Sequence, residues 1–506
     1  MLPSACVNSV CDNAQTLASG DMMPELVLVL AIVGVVVWDL LFKGRGKIEG
    51  IAAIAVIALA YSGIWGGLLP AYSGYEYFGG LVRLDKLAYL SRAFFAIVTA
   101  LTVLLSIPRR EDRQTFGKGR GDGQFFTLLL TIALGMNLMG MSNNLLMIYL
   151  SLEMVSVISF VMAGFKLEDR KSWEGALKYV IFGGVSSGIM LYGMSWIFGL
   201  TQSLHLPTIA VRIAAITAQT GKVPDAVIVG VVCMMAGFGY KISAAPFHMW
   251  APDVYEGSPT QVTMFLSVGP KAAGFIVMMR FFDTALLAGS APGTETWRMV
   301  AGVIAIATMT IGNLSALHQQ NVKRLLAFSS IAHAGYMMLG FCVFTQDGLF
   351  SILFYLLIYY AMNFGAFLVQ MAVAEQTGTD TIEGFRGLGA RSPLMAVAMT
   401  LFLFSLAGIP PLAGFVGKFY IFVALIKSGG MWSWTLVVFG VANSVISVFY
   451  YARIAKMMWL EKPAEAAEQV NVRRLYGYTT AALVLPTVLL GVYWTPVYDW
   501  VSGVVR

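Results

Sequence analysis

Long hydrophobic runs separated by short polar stretches repeat along nearly the whole chain. A helix needs about 20 apolar residues to cross a bilayer, and fourteen runs have roughly this length. They cover approximately residues 24–42, 48–69, 85–107, 124–141, 144–165, 173–199, 223–247, 259–288, 297–317, 322–344, 348–373, 392–427, 432–459 and 475–500. The pattern predicts an all-α polytopic membrane protein with about 14 transmembrane helices.

Proline interrupts two of these runs, and a lysine lies beside each interruption. Lys241 comes shortly before Pro246 and Pro252, and Lys418 follows the pair Pro410-Pro411. A lysine at bilayer depth is costly and is usually functional, and a broken helix is tolerated there only when protein or a wet cavity surrounds it. The two breaks lie five runs apart. Since an odd offset reverses direction across the membrane, we expect two inverted five-helix repeats, helices 4–8 and 9–13, as in transporters.

These breaks predict a division of the chain into five parts. Residues 1–23 are a polar extension, and residues 24–123 contain the first three transmembrane helices. The first repeat covers residues 124–288 and contains the broken helix 7. The second repeat covers residues 297–459 and contains the broken helix 12. The last part, residues 475–506, contains transmembrane helix 14.

The composition supports a membrane protein and excludes a soluble enzyme of several domains. Hydrophobic residues make up 58% of the chain and charged residues 12%, whereas soluble domains carry roughly 25% charged residues. The net charge is +6, but the basic residues lie between the hydrophobic runs, as in a topology signal, so we expect no nucleic-acid partner. Because they concentrate in alternate loops, both termini are expected on the outside of the membrane.

Cofactor motifs are not visible in the sequence. The four cysteines, Cys6, Cys11, Cys233 and Cys342, form no C-x-x-C pair of the kind that binds a metal or cluster. The glycine-rich stretch 117–123 has no strand before it, so it is interpreted as a linker and not as a phosphate-binding loop. We therefore expect no cofactor on this chain. The sequence allows either a Cys6–Cys11 disulfide or two free thiols.

Six ionisable side chains inside the hydrophobic runs are candidates for function. They are Glu153, Lys178, Lys241, Lys271, His333 and Lys418. Burial and neighbouring charges can shift such groups across physiological pH, and histidine carries protons readily near neutral pH, so the set predicts a proton relay. The alternatives are structural. Glu153 could cap a kink or neutralise one lysine permanently, Lys178 could extend to the membrane interface, and His333 could be a hydrogen-bonded core residue.

Four motifs resemble the antiporter-like subunits of respiratory complex I. They cover residues 239–259, 269–271, 323–336 and 408–419, and the similarity extends over nearly all fourteen runs. Within that family the chain is most similar to the N-type subunits. It ends after run 14 and lacks the long lateral helix of the L type, and it has Lys418 where the M type usually carries glutamate.

The resemblance implies a proton-translocating membrane subunit of NADH–quinone oxidoreductase, driven by quinone reduction elsewhere in the complex. Glu153 and Lys241 would form a pair between helices 5 and 7. Lys271 would pass protons along a central hydrophilic axis, and Lys418 would lie on the outlet side of the second half-channel. The alternative is a subunit of a multi-subunit cation/proton antiporter, which would share the same helices.

The resemblance also implies the surroundings of the chain. Its partners would be membrane-arm subunits of the A, H, J, K, L and M types, the peripheral arm and the lipid bilayer. The parent complex would use FMN, iron–sulfur clusters, NADH and quinone, with no redox site on this chain. The location would be a bacterial inner membrane.

Overall fold

The computed structural model describes residues 20–43, 46–67, 74–107, 122–286, 294–343, 345–463, 469–470 and 472–505. Cys6, Cys11, nearly all of the predicted polar extension and most of the glycine-rich stretch 117–123 lie outside the described residues.

Helices account for almost all of the described chain. In order they are α1 (Met23–Leu41), α2 (Lys47–Gly67), α3 (Lys86–Leu105), α4 (Asp122–Met141), α5 (Leu145–Ala163), α6 (Arg170–Thr201), α7 (Leu206–Thr220), α8 (Asp225–Ile242), α9 (Trp250–Gly257), α10 (Thr260–Phe281), α11 (Thr294–Leu317), α12 (Val322–Phe341), α13 (Gln346–Thr377), α14 (Leu388–Arg391), α15 (Pro393–Ala407), α16 (Ala413–Ser428), α17 (Gly430–Trp459), α18 (Arg474–Val492) and α19 (Thr495–Val505). A π-helical turn, Phe282–Leu286, continues α10, and a 3₁₀ turn, Ile382–Phe385, precedes α14. Two short strands, β1 (Glu76–Tyr77) and β2 (Val82–Arg83), form an antiparallel hairpin before α3.

The predicted polytopic all-helical membrane protein is confirmed. Within the described residues, twelve helices are long and apolar enough to cross a membrane. Two predicted runs are not among the twelve. The run 322–344 forms the 20-residue helix α12, which contains Lys323, Arg324 and His333. The run 392–427 is divided into α15 and α16, of 15 and 16 residues, and each is too short to cross a bilayer alone.

The structure differs from the predicted pattern at the last run and between runs 6 and 7. The run 475–500 is two helices, α18 and α19, which meet before Thr495 and Pro496. Proline has no backbone N–H to bind the carbonyl four residues earlier, which for Pro496 is that of Val492, the last residue of α18, and this explains the interruption. The stretch between runs 6 and 7, interpreted as a loop, contains α7. This helix has a proline in its first turn and ends at Gly221 with a φ of +72°, two ordinary helix-boundary signals.

The chain forms two compact units. The first contains residues 1–168, 183–238 and 269–293, and the second contains residues 169–182, 239–268 and 294–506. In the first unit α1 packs against α2 and α4, and α3 packs against α2 and α4. Arg92 of α3 is fully buried there and donates to the Glu25 carboxylate of α1 at 2.6 and 2.9 Å. A paired charge of this kind avoids the cost of an isolated buried ion.

In the second unit, α12 packs on α11, and α13 packs on α15, α16 and α18. Glycine permits the close approach of α11 and α12. A β carbon at Gly312 of α11 would lie 2.7 Å from the backbone nitrogen of Ala332, and one at Gly335 of α12 would lie 2.7 Å from the backbone nitrogen of Met309. The α11–α12 pair therefore depends on backbone contact at both glycines.

Candidate functional site

Helix α8 ends one residue after Lys241, a side chain that is 2% exposed. Ser243 follows with a φ of +61°, a left-handed conformation that a residue with a β carbon rarely adopts, so the helix cannot continue. Trp250, the first residue of α9, donates from Nε1 to the Tyr240 carbonyl oxygen at 3.1 Å. The predicted break after Lys241 is therefore present, and Pro246 lies in the non-helical link.

Beyond this break, charged side chains of α6, α9 and α12 form the α9 ion cluster. Its members are Lys171, Glu174, Lys178, Asp253, Glu256 and Arg324. Asp253 accepts from Lys178 at 2.6 Å and from Arg324 at 2.5 Å. Glu256 accepts from Lys171 at 2.8 Å and from Arg324 at 3.1 Å. All members except Lys178 line a cavity of about 130 Å³, so water and protons can approach these groups.

The two carboxylates of α9 lie between the apolar spans, and their environment holds them in the ionised form. Burial would raise the pKa of Asp253, but the hydrogen bonds and charges of Lys178 and Arg324 outweigh it and lower the pKa. Burial likewise opposes ionisation of Glu256, and its contacts with Lys171 and Arg324 lower the pKa. Ionised carboxylates between cations bind α9 to α6 and α12.

The second break separates α15 from α16. Helix α15 ends at Ala407, and Gly408 follows with a φ of +89°, which glycine adopts without steric cost. Lys418 of α16 is 4% exposed, and its ammonium donates to the carbonyl oxygens of Leu406 and Ala407 at 3.1 and 2.9 Å. The nitrogen also lies 4.4 Å from the centroid of the Tyr336 ring. The lysine is therefore bound to the buried carboxyl end of α15.

His333 lies on α12, one helical turn before Tyr336, and is 1% exposed. Its Nδ1 is 2.7 Å from the Tyr355 hydroxyl, and its Nε2 is 3.3 Å from the Tyr451 hydroxyl. Tyr451 also shares a hydrogen bond with the Ser329 hydroxyl. Hydroxyl groups can both donate and accept, so the imidazole is connected on both sides to groups that can pass a proton.

Two candidate residues belong to the first unit. Glu153 of α5 accepts a hydrogen bond from the Ser187 hydroxyl of α6. Lys271 follows Pro270 inside α10 and is 1% exposed. A proline in a helix removes one backbone hydrogen bond, so Lys271 also lies beside an irregularity of its helix.

The structure distributes the six predicted residues over both units. Glu153 and Lys271 lie in the first unit, and Lys178, Lys241, His333 and Lys418 lie in the second. Within the second unit, His333 and Lys418 both lie beside Tyr336. The His333 and Tyr336 ring centroids are 5.8 Å apart, and Lys418 Nζ lies 4.4 Å from the Tyr336 centroid. Lys178 instead binds two carboxylates of the α9 ion cluster and is 37% exposed.

Sequence reasoning missed several residues that contact the candidates. Tyr336 could have been found, because it follows His333 by three positions and so shares its helix face. Asp253 and Glu256 were part of a recognised motif but had no assigned role. Ser187 carries no signal in the sequence, since one serine in a membrane helix is ordinary. In the described part of the chain, no group of three or more His, Cys, Asp and Glu side chains could hold a metal ion.

Comparisons with known proteins agree with this architecture. The family described as NADH:quinone oxidoreductase/Mrp antiporter, TM, matches residues 142–447. The chain is 58% identical over 496 residues to NADH-quinone oxidoreductase subunit N 2 of Sorangium cellulosum (strain So ce56), with 97% of each chain covered. It is 43% identical over 502 residues to NADH-quinone oxidoreductase subunit N of Anaeromyxobacter sp. (strain Fw109-5), with 95% of each covered.

A solved structure has the same fold over nearly the full length. It is a chain of respiratory complex I from Thermus thermophilus with bound aureothin, with a TM-score of 0.77 and 28% identity, covering 94% of this chain and 98% of that one. Buried lysines at interrupted membrane helices and the family match define an antiporter-like membrane protein.

Within that class, the chain belongs to the subunit N family of NADH-quinone oxidoreductase, a membrane-arm component of complex I. The resemblance predicted from the motifs is confirmed, and the relatives favour complex I over a separate cation/proton antiporter. The chain is thus a subunit of a translocase complex, with other complex I subunits as partners. The described residues contain no evident catalytic site of their own.

Proposed function

We propose that this subunit carries protons across the membrane through Glu153, Lys178, Lys241, Lys271, His333 and Lys418. The proposal rests on the buried lysine at each helix break. Lys241 lies in the last turn of α8 and is 2% exposed, and Lys418 binds the end of α15 and is 4% exposed. A permanent structural role would not require a costly cation at both interruptions.

The energy needed is within reach of such groups. Moving one charge against 100 mV takes about 2.3 kcal/mol, and a lysine whose pKa changes by two units supplies about 2.7 kcal/mol. Quinone reduction elsewhere in the complex would drive these changes at Glu153 and Lys241. Protons would then pass by Lys271 and His333 to Lys418 on the outlet side.

Lys178 would act at the start of this route. Its contacts with Glu174 and Asp253 connect it to carboxylates beside the cavity of the α9 ion cluster. Protons arriving from water would meet these carboxylates before the buried lysines.

The finer organisation is part of the same proposal. The predicted transmembrane helices 4–8 and 9–13, residues 124–288 and 297–459, would be two inverted repeats. The interruption of one helix in each range supports this arrangement. The partners would be subunits of the A, H, J, K, L and M types and a peripheral arm carrying FMN and iron–sulfur clusters, which oxidises NADH and reduces quinone. The chain would bind no cofactor itself and would have both termini outside a bacterial inner membrane.

The test replaces each lysine by methionine, which keeps the length of the side chain and removes its charge. In the assembled complex, Lys241→Met and Lys418→Met should each lower NADH-driven proton pumping in sealed vesicles by roughly tenfold, the effect of about 1.4 kcal/mol. Lys427→Met is the matched control, because Lys427 lies on the same helix as Lys418 but is 65% exposed. Normal pumping by a fully assembled Lys418→Met or Lys241→Met complex would refute the role of that lysine.

A further inference from the structure

The carboxyl end of α15 is capped by a side chain from the next helix. The backbone N–H groups after the helix bind the carbonyls of Phe404 and Ser405. The last two carbonyls, those of Leu406 and Ala407, accept hydrogen bonds from Lys418 Nζ at 3.1 and 2.9 Å. The carboxyl end of a helix leaves carbonyls without partners and carries a partial negative charge, so it is a suitable binding site for an ammonium group.

The aromatic ring of Tyr336 forms another side of this ammonium-binding site. Tyr336 is 1% exposed, and its ring centroid lies 4.4 Å from Lys418 Nζ. The Ser444 hydroxyl donates to the Tyr336 hydroxyl at 3.2 Å and so fixes the ring from its far end. Gly408 allows the lysine to approach closely, because a β carbon there would lie 3.0 Å from Lys418 Cδ.

The described residues give Lys418 no carboxylate counter-ion of the kind that a buried cation usually has. In the described part of the chain, no carboxylate forms an ion pair with this lysine, whose contacts are two carbonyls and one ring. The face of an aromatic ring attracts a cation but has no comparable attraction for a neutral amine. A neutral amine could still donate two hydrogen bonds, so the ring is the contact that depends on the proton.

We propose that Tyr336 is the positioning residue for Lys418. Its ring keeps the protonated side chain at the carboxyl end of α15, and the ring binds the side chain more weakly after the proton leaves. The inference rests on the proposed function, in which Lys418 carries a proton, and adds the group that couples its charge to its position. Removing a desolvated ring–cation contact should change the ratio of held to released side chain by roughly 10- to 30-fold.

The experiment compares Tyr336→Phe with Tyr336→Leu in the assembled complex. Phenylalanine keeps the ring and loses only the hydroxyl, whereas leucine removes the ring. We expect protons pumped per NADH oxidised to stay near the wild-type value in Tyr336→Phe and to fall by roughly half or more in Tyr336→Leu. Phe402→Leu is the matched control, since it removes a buried ring of α15 that packs on Gly365 of α13.

Lys418→Met, measured beside these variants, separates the inference from the function on which it rests. If Tyr336→Leu pumps like the wild type while Lys418→Met is impaired, only the inference about Tyr336 is overturned. If both variants pump normally, the role of Lys418 is overturned as well. Equal loss in Tyr336→Phe and Tyr336→Leu assigns the effect to the hydroxyl and also overturns the inference. If Tyr336→Leu does not assemble, Tyr336→Met fills more of the space without a ring. If neither Tyr336→Leu nor Tyr336→Met assembles, the ring is needed for the structure, and the proposal is rejected.

Discussion

At the scale of single residues, each candidate is defined by what it contacts. Asp253 lies between Lys178 and Arg324 in the α9 ion cluster, and His333 lies between two tyrosine hydroxyls. The sequence predicted the ionisable residues, because a charge within an apolar run is conspicuous. It could not predict the contacts, since Ser187 on Glu153 and the α15 carbonyls on Lys418 are created only by the folded chain.

The stability supplied by Asp253 should depend on pH in a defined direction. The folded-state pKa of this carboxyl is lowered, because its bonds to Lys178 and Arg324 outweigh the effect of burial. The stabilisation is therefore present above the unfolded pKa of about 3.9 and is lost as the pH falls through the folded value. Asp253→Asn should destabilise the complex by about 1–3 kcal/mol near pH 7 and by progressively less as the pH falls below about 4 toward the folded pKa.

Thermal unfolding of purified wild-type and Asp253→Asn complexes between pH 7 and pH 3.5 checks this expectation. Glu174→Gln is the control, since Glu174 also binds Lys178 but its side chain is 58% exposed, and exposed ion pairs contribute about 1 kcal/mol or less. A loss of stability in Asp253→Asn that is the same at every pH would contradict the proposed cause.

At the scale of elements, the sequence predicted most of the helices and the positions of both breaks. Membrane helices are conspicuous because about 20 apolar residues rarely occur together otherwise, and proline marked both interruptions. Amphipathic α7 and the division of α18 from α19 were missed. The first has too few apolar residues to resemble a span, and the second is interrupted at Tyr493 and Trp494, within a run that is otherwise continuous.

The second break also requires a glycine that the sequence alone does not single out. A β carbon at Gly414, in the first turn of α16, would lie 1.8 Å from the Ser405 carbonyl oxygen of α15. The backbones would have to separate, so Gly414→Ala should destabilise the protein by about 1–3 kcal/mol or more. The Lys418 ammonium would move with α16, and NADH-driven pumping should fall together with stability.

Native gel analysis and thermal unfolding of the complex measure this effect. Gly477→Ala in α18 is the matched control, because a β carbon there would meet no atom within 4 Å. It should be neutral or stabilising by up to about 1 kcal/mol. Equal stability of the Gly414→Ala and Gly477→Ala complexes would show that α15 and α16 do not approach as described.

At the scale of the whole molecule, the distribution of basic residues predicts how the chain crosses the membrane. The loops on one predicted side carry most of the lysines and arginines, including Lys166, Arg170 and Lys171, and the other side carries few, including Arg212 and Lys222. Positive loops remain on the cytoplasmic side. Both termini should therefore lie outside, with the α9 ion cluster near the inner face, where a proton route would begin.

Single cysteines on either side of α6 test this orientation. Leu167, before the helix, is 75% exposed, and the Lys222 side chain, beyond α7, is 71% exposed. With Cys6, Cys11, Cys233 and Cys342 replaced by serine, a membrane-impermeant maleimide should label Lys222→Cys in spheroplasts and Leu167→Cys only in inverted vesicles. Labelling of both in detergent controls for access, because partner subunits in the complex could cover either site. The reverse pattern would invert the chain and place the Lys178 end of the proposed route on the outer face, where protons should leave and not enter.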